Sequence, residues 1–404
     1  MRVLQVVRQL GAIGGIQTYV AGLTRHLAAD NHQCIVLVDD EAECEAASTL
    51  ERVPALANHI SGRAESDALI SAILRHRPDV LLVHANADAG LLRAAVESGV
   101  PTAAFVHTFA CSTAKVFRRR DTVCSHPIGT RCLWDWYAGP CGSSPNPLTL
   151  VRTHRQGRSY VAGLRTLNAV FVATNFMKEY VAGEGVDPNK ITVEPWTPGL
   201  SSDVVGDQGG DATTPEVRRT SGNLAFVGRL TYDKGIHHLI AAMGMLSPEF
   251  TLRVVGDGWY RSSLVSQVDA LGLADRIQFV GPKSGRDLSA EYARASVVVV
   301  PSVLPEPWGL VVGEASASGA TVVVSDVGGL PEWQKWSPNV LTCPPGQPAR
   351  LADAIRSATG MNLRSDSRRV HANLTLPDAP RHLIRALRDL AVQPSTQASI
   401  GGAM

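Results

Sequence analysis

Glu306 and Glu314 stand eight positions apart in the run S-V-L-P-E-P-W-G-L-V-V-G-E-A that fills residues 302–315. Four valines, 297–300, precede it and end at Pro301, so the order reads as a buried strand, a Pro-rich loop, and a helix starting near Gly309. A helix N-terminus presents unpaired N–H groups and the positive end of its dipole, which suits a phosphate. A glycine there lets a ligand approach the backbone. The two carboxylates can accept hydrogen bonds from the hydroxyls of a sugar or ribose. In outline this is a sugar-phosphate site.

A second constellation lies upstream in the same half. Gly228-Arg229-Leu230-(x)3-Lys234-Gly235 follows the apolar run 224–227 and precedes a helical pattern. Two cations among glycines at the carboxyl end of a strand make a diphosphate clamp; a surface turn with solvated charges is the blander reading. Pairing with the carboxylates favours the clamp. His107 sits just past the apolar run 103–106 and can hydrogen-bond a sugar hydroxyl, although a structural histidine at a strand end is the commoner case. His84 holds the same position on another strand with less to recommend it. Gly256-Asp257-Gly258 and Gly11-(x)2-Gly14-Gly15 both lack the spacing of G-x-G-x-x-G, so they read as tight turns and an oxidoreductase is the weaker class.

The elements that must position these residues alternate between strand and helix, an α/β pattern with parallel sheets. At 404 residues the chain is long enough for two domains. The expected division is residues 1–200 for an N-terminal Rossmann-like domain, 201–222 for a Gly/Asp/Ser/Thr linker, and 223–377 for a C-terminal Rossmann-like domain. A helix over 378–392 is expected to pack back toward the N-terminal domain, and 393–404 reads as a disordered tail. Two such halves are expected to face each other across a cleft, with ligands at the carboxyl ends of the strands. A net charge of +1 argues against a dedicated nucleic-acid binder. No run of about 18 apolar residues stands in the sequence. Seven cysteines, an odd number spread over the chain, favour a reducing compartment. The cytoplasm is the expected location.

Residues 111–147 break the pattern. Cys111, Cys124, Cys132 and Cys141 are separated by 12, 7 and 8 residues, with no C-x-x-C pair. Structural zinc, one or two disulfides, and unlinked thiols all remain open. Between positions 115 and 165 nine basic residues meet only two acidic ones, with Phe117, Trp134, Trp136 and Tyr137 interleaved. This region can meet an anionic lipid surface at the inner membrane face or a phosphorylated acceptor; a solvated face is the alternative.

Gly14-Gly15, Gly228-Arg229-Leu230, Lys234-Gly235 and Pro305-Glu306-Pro307-Trp308-Gly309-Leu310-Val311-Val312-Gly313-Glu314-Ala315 resemble family 4 of the glycosyltransferases, retaining enzymes of the GT-B fold. The resemblance covers essentially residues 1–390; Trp308 stands where phenylalanine is common. It implies that Arg229 and Lys234 bind the donor diphosphate and offset its charge as it leaves. Glu306 should contact donor-sugar hydroxyls, the backbone at Trp308, Gly309 and Leu310 the sugar or distal phosphate, and Glu314 the ribose. Gly14 and Gly15 should let the first loop close on the diphosphate, with Gly228 and Gly256 lining the donor site and His107 near the sugar's outer hydroxyl. The implied co-substrate is a nucleotide-diphosphate sugar, and the acceptor a glycan, a lipid-linked saccharide or a natural product. No Asp-x-Asp pair occurs, so transfer is expected to need no metal or other cofactor. A sugar-nucleotide epimerase or phosphorylase on the same architecture, and a non-catalytic sugar-nucleotide binder, are the alternatives.

Overall fold

A computed structural model describes residues 1–7, 15–38, 47–52, 63–84, 89–109, 111, 117–118, 122–124, 126–138, 141, 146–195, 222–362 and 381–392. Gly14, the expected linker apart from Gly222, the tail 393–404, and Lys115, Arg119 and Arg120 of the basic region lie outside the described residues. The chain divides into two compact units, one formed by Met1–Pro198 with Pro377–Met404 and the other by Gly199–Leu376.

The first unit contains β1 (Arg2–Val6), α1 (Gly15–Ala29), β2 (Gln33–Val38), β3 (Thr49–Arg52), α2 (Arg63–His76), β4 (Val80–His84), α3 (Ala89–Glu97) and β5 (Thr102–Phe105). After these come β6 (Phe117–Arg118), β7 (Thr122–Val123), α4 (Arg131–Ala138), α5 (Pro147–Thr166), β8 (Ala169–Val172), α6 (Asn175–Gly183) and β9 (Ile191–Val193). Seven strands form a parallel sheet in the order β3-β2-β1-β4-β5-β8-β9. β6 and β7 form a separate antiparallel pair.

The second unit runs β10 (Asn223–Val227), α7 (Ile236–Met243), β11 (Thr251–Val255), α8 (Arg261–Ala270), β12 (Ile277–Gly281), α9 (Gly285–Arg294), β13 (Val297–Val300), α10 (Leu310–Ala317), β14 (Thr321–Ser325), β15 (Val340–Cys343) and α11 (Pro348–Asn362). Its sheet is parallel too, in the order β12-β11-β10-β13-β14-β15. Helix α12 (Arg381–Val392) belongs to the first unit and packs on β4.

Composition explains why these segments are strands. β13 is four valines and β14 holds three more, all buried. β-branched residues suit the pleated surface, and a parallel sheet covered on both faces favours continuous apolar runs over alternation. Each unit has its own apolar core, one around Leu4, Leu81, Leu92 and Val170, the other around Leu224, Ile240, Val254 and Ile355. The second sheet has the doubly wound order, in which the connections diverge between the first strand and its neighbour on the other side. That point falls between β10 and β13, and the loops after these two strands carry the Arg229/Lys234 and Glu306/Glu314 motifs.

The insert departs from expectation. Residues 131–138, where the sequence shows no apolar period, form α4. The period is hidden because only Asp135 and Trp136 turn inward, while Leu133, Trp134 and Tyr137 are exposed.

Gly235 holds the loops after β10 and β13 together. It is left-handed at φ 66, closes the short turn Tyr232–Lys234, and is the residue from which α7 starts. A Cβ there would fall 1.9 Å from the Pro301 carbonyl oxygen. Gly235→Ala is therefore expected to lower the unfolding free energy by about 1–3 kcal/mol, read from a urea titration. An unchanged midpoint would show that the two loops do not need this approach.

Candidate functional site

The loop after β10 is tied on both sides. Gly228 N–H donates to Val255 O (3.0 Å), Leu230 N–H to Asp257 O (2.9 Å), and Tyr260 N–H to Leu230 O (3.0 Å), which joins it to the loop after β11. On the other side Val303 N–H donates to Asp233 O at 2.9 Å, joining it to the loop after β13. These ties bring Lys234 Nζ to 2.8 Å from Glu306 Oε1. The Ser302 hydroxyl donates to the same oxygen, which leaves Oε2 for a further donor. Both side chains of the ion pair are largely buried. Arg229, in contrast, is exposed and makes no ion pair among the described residues.

Glu306 is also fixed through its backbone. Its carbonyl accepts Gly329 N–H at 2.7 Å, and it forms a parallel bridge with Gly328 in the loop after β14. Next to it the Trp308 ring is buried against Trp333 (centroids 4.2 Å apart) and Trp336 (5.2 Å). Trp333 Nε1–H donates to Trp308 O at 2.8 Å. The ring is thus an anchor and is not itself presented to a ligand. Gly309, left-handed at φ 85, precedes α10, whose first turn has no side-chain cap. Val312 N–H donates to Gly309 O at 2.9 Å, and the N–H groups of Leu310 and Val311 are the ones that can face an anion.

Glu314 lies in the second turn of α10 and accepts a hydrogen bond from Tyr292 Oη on α9 at Oε2, 2.6 Å away. Burial raises its carboxyl above the usual range, and the Tyr292 hydrogen bond pulls it part of the way back. Gly256 backs Gly228: a Cβ at Gly256 would lie 1.9 Å from the Gly228 carbonyl oxygen. Its role is to allow that approach.

In the first unit His107 does not stand alone. Its Nε2 is 3.1 Å from His84 Nδ1, and His84 Nε2 is 2.8 Å from Gln5 Oε1. The Gln5 amide in turn donates to Thr24 Oγ1 and to Cys34 Sγ, each at 2.9 Å. Because Gln5 Oε1 can only accept, His84 carries its proton on Nε2 and accepts at Nδ1, so His107 donates from Nε2. Burial lowers His84 to about 3 and His107 well below the usual histidine value, His84 adding to the latter. Both rings are neutral near pH 7, and Nδ1 is the atom His107 has left for a ligand. Phe105 stacks on His107 at 4.5 Å and Tyr19 meets it edge-on at 4.8 Å. Gly15 begins α1 at the carboxyl end of β1 and is exposed.

Sequence reasoning passed over several contributors. Gln5 and Tyr292 act through contacts between elements far apart in the chain, and no local pattern marks them. Ser302 lies four residues from Glu306 but gains its role only from the loop's fold, and His84, noted as a second strand-end histidine, gains its role from contact with His107. Glu194 is a buried carboxyl directly after β9, raised by burial with the His382 charge opposing. Its one local signal was a charged residue between Val193 and Pro195.

Cys111, Cys124, Cys132 and Cys141 are partly buried and form no disulfide with one another. The Cys141 thiol is pushed up to about 11, chiefly by burial and then by Cys132, Asp135, Cys124 and Cys111. Among the described residues no group of three or more His, Cys, Asp or Glu side chains is placed to hold a metal ion. The disulfide staples considered for this segment are not formed among these four cysteines.

The family described as Glycosyl transferases group 1 matches residues 216–373, and the one described as Glycosyltransferase Family 4 matches 13–195. By these two matches, one in each unit, the chain belongs to the group 1 and family 4 glycosyltransferases. An uncharacterized glycosyltransferase of Methanocaldococcus jannaschii is 42% identical over 131 residues, 32% of this chain and 33% of its own length. A glycogen synthase of Mycobacterium tuberculosis is 36% identical over 177 residues, 42% of each chain. The chain thus spans between a third and about two fifths of the length of these relatives. Among solved structures, Anabaena Alr3699/HepE in complex with UDP superposes with a TM-score of 0.65 at 17% identity, covering 96% of this chain and 100% of that one. The two parallel sheets are those of this glycosyltransferase fold.

The raised carboxyl at Glu314 has a consequence for stability. The folded state holds that proton more tightly than the unfolded chain, so ionisation costs stability as pH rises through the folded pKa. Glu314→Gln removes this cost and keeps an acceptor for Tyr292. The variant is expected to melt above the wild type at about pH 7.5, the gain vanishing as pH falls toward the unfolded value of 4.5. A pH-independent difference would show that ionisation is not its source.

Proposed function

We propose that the protein is a retaining glycosyltransferase. It moves a sugar from a nucleotide-diphosphate sugar, of UDP or GDP type, to a hydroxyl of a glycan, a lipid-linked saccharide or a natural product. The observation that carries this reading is the Lys234–Glu306 pair, on the loops that also carry the exposed Arg229 and lead into the uncapped first turn of α10. A diphosphate needs fixed positive charge that is present before it arrives. Lys234, Arg229 and the first N–H groups of α10 can offer it. The UDP bound by Alr3699/HepE and the glycogen synthase relative support a nucleotide sugar as donor.

In this mechanism Lys234 is held in place by Glu306 until the donor binds. The lysine then faces a diphosphate oxygen and Glu306 a sugar hydroxyl, with Oε2 as the free acceptor. Arg229 closes on the diphosphate, and Glu314, anchored by Tyr292, takes the ribose hydroxyls. As the anomeric C–O bond breaks, its electron pair goes to the leaving phosphate oxygen, where the cations stabilise it. That oxygen takes the proton of the acceptor hydroxyl, and the acceptor oxygen bonds to the anomeric carbon on the same face. Configuration is retained, and no enzyme nucleophile is needed. The cation clamp supplies the charge compensation, which makes the transfer independent of metal. On the acceptor side, neutral His107 is a hydrogen-bond partner through Nδ1.

Lys234→Ala and Glu306→Ala are each expected to cut turnover by roughly a hundredfold or more, the cost of losing a preorganised charge contact. The assay is nucleoside-diphosphate release over a panel of sugar nucleotides and acceptors, with excess chelator to test metal independence. Near-normal turnover in both variants would refute the site. No release by the wild type with any pair, despite nucleotide-sugar binding in a thermal-shift screen, would favour a non-catalytic binder.

A further inference from the structure

Helix α4 presents its apolar side chains to solvent. At about 100° per residue, Leu133, Trp134 and Tyr137 fall in one arc and the buried Asp135 and Trp136 in the opposite one. Trp134 is 75% exposed, Tyr137 53% and Leu133 40%. Helix α5 packs on α4 and continues the surface. Leu148 (75% exposed) and Val151 (42%) occupy its first turns, and the exposed Arg152, Arg155 and Arg158 follow on the same face. Its buried residues, Leu150, His154, Val161 and Leu164, lie on the other side. Five of the twelve large apolar side chains exposed among the described residues are on these two helices. The charge there has one sign: α5 carries four arginines and no acid, and the single acid of α4, Asp135, is buried 3.6 Å from Arg131 Nε.

We propose that this α4–α5 face docks on an anionic lipid bilayer, with Leu133, Trp134, Tyr137 and Leu148 at the headgroup–acyl boundary and Arg152, Arg155 and Arg158 over the lipid phosphates. Trp and Tyr carry an apolar body with a polar edge, which suits that boundary. Arginines beside them gain from a negatively charged leaflet. A soluble polyanion would satisfy the arginines and leave the rings and leucines in water. An apolar protein groove would cover the rings without needing one-sign charge. Only a charged bilayer uses both halves of the surface. The proposal narrows the contact expected between residues 115 and 165 to these two helices. The inference stands independently of the donor chemistry.

The test is co-sedimentation of the full chain with vesicles of phosphatidylcholine alone or mixed with phosphatidylglycerol. The wild type should partition to the mixed vesicles and be released as salt is raised. Trp134→Ser with Leu148→Ser should reduce partition by at least about tenfold. Arg152→Gln, Arg155→Gln and Arg158→Gln together should abolish the preference for phosphatidylglycerol. All five side chains are exposed, so the melting temperature and nucleotide-sugar binding should stay at wild-type values, and a variant that meets this check reports on docking alone. Absence of wild-type partition overturns the proposal. So does wild-type partition in both variants. Sensitivity to the arginines without sensitivity to Trp134 and Leu148 also overturns it, and points to a soluble anionic ligand instead.

Discussion

The ion pair between Lys234 and Glu306 exists because four loops are tied edge to edge at the carboxyl end of one sheet. The loop after β10 leans on the loop after β11 and on the loop after β13, and the loop after β14 holds Glu306 by its backbone. Gly235 and Gly256 permit the two closest approaches, where any Cβ would meet a carbonyl oxygen. Displace one of these loops by an ångström and the lysine loses its carboxylate. A half-buried charge without its partner is costly, so the pair and the ties beneath it stand or fall together.

The same economy of position appears elsewhere in the second unit. Trp308 spends its ring on Trp333 and Trp336, which fixes the backbone leading to Gly309 and the open first turn of α10. Tyr292 spends its hydroxyl on Glu314, which orients a carboxyl that burial alone would leave poorly defined. In each case an aromatic residue fixes a neighbouring polar group. Preorganisation of this kind is what lets fixed charges act on a leaving group without first rearranging.

The first unit works by a hydrogen-bond chain. Gln5 sets the tautomer of His84, and His84 sets that of His107. Desolvation keeps both rings neutral. His107 is therefore a dipole rather than a cation near pH 7. The outward aromatic face of α4 and the arginine face of α5 belong to this unit as well.

The sequence by itself determined the alternation of buried valine-rich strands and helices, because parallel strands covered on both faces must be continuously apolar. It also determined the loops on which Arg229, Lys234, Glu306 and Glu314 stand, because glycines and prolines mark strand ends locally. It did not determine that Lys234 and Glu306 share one oxygen with Ser302, that His84 governs His107, or that Tyr292 holds Glu314. Those contacts join residues 4, 22, 23 and 72 positions apart, and all but the first cross from one strand connection to another. Nor could it show residues 131–138 as a helix, since a helix whose apolar residues face solvent carries no core-facing period. Local pattern records what each segment buries; only the tertiary structure decides which loops meet, because strand order is fixed by packing over the whole sheet.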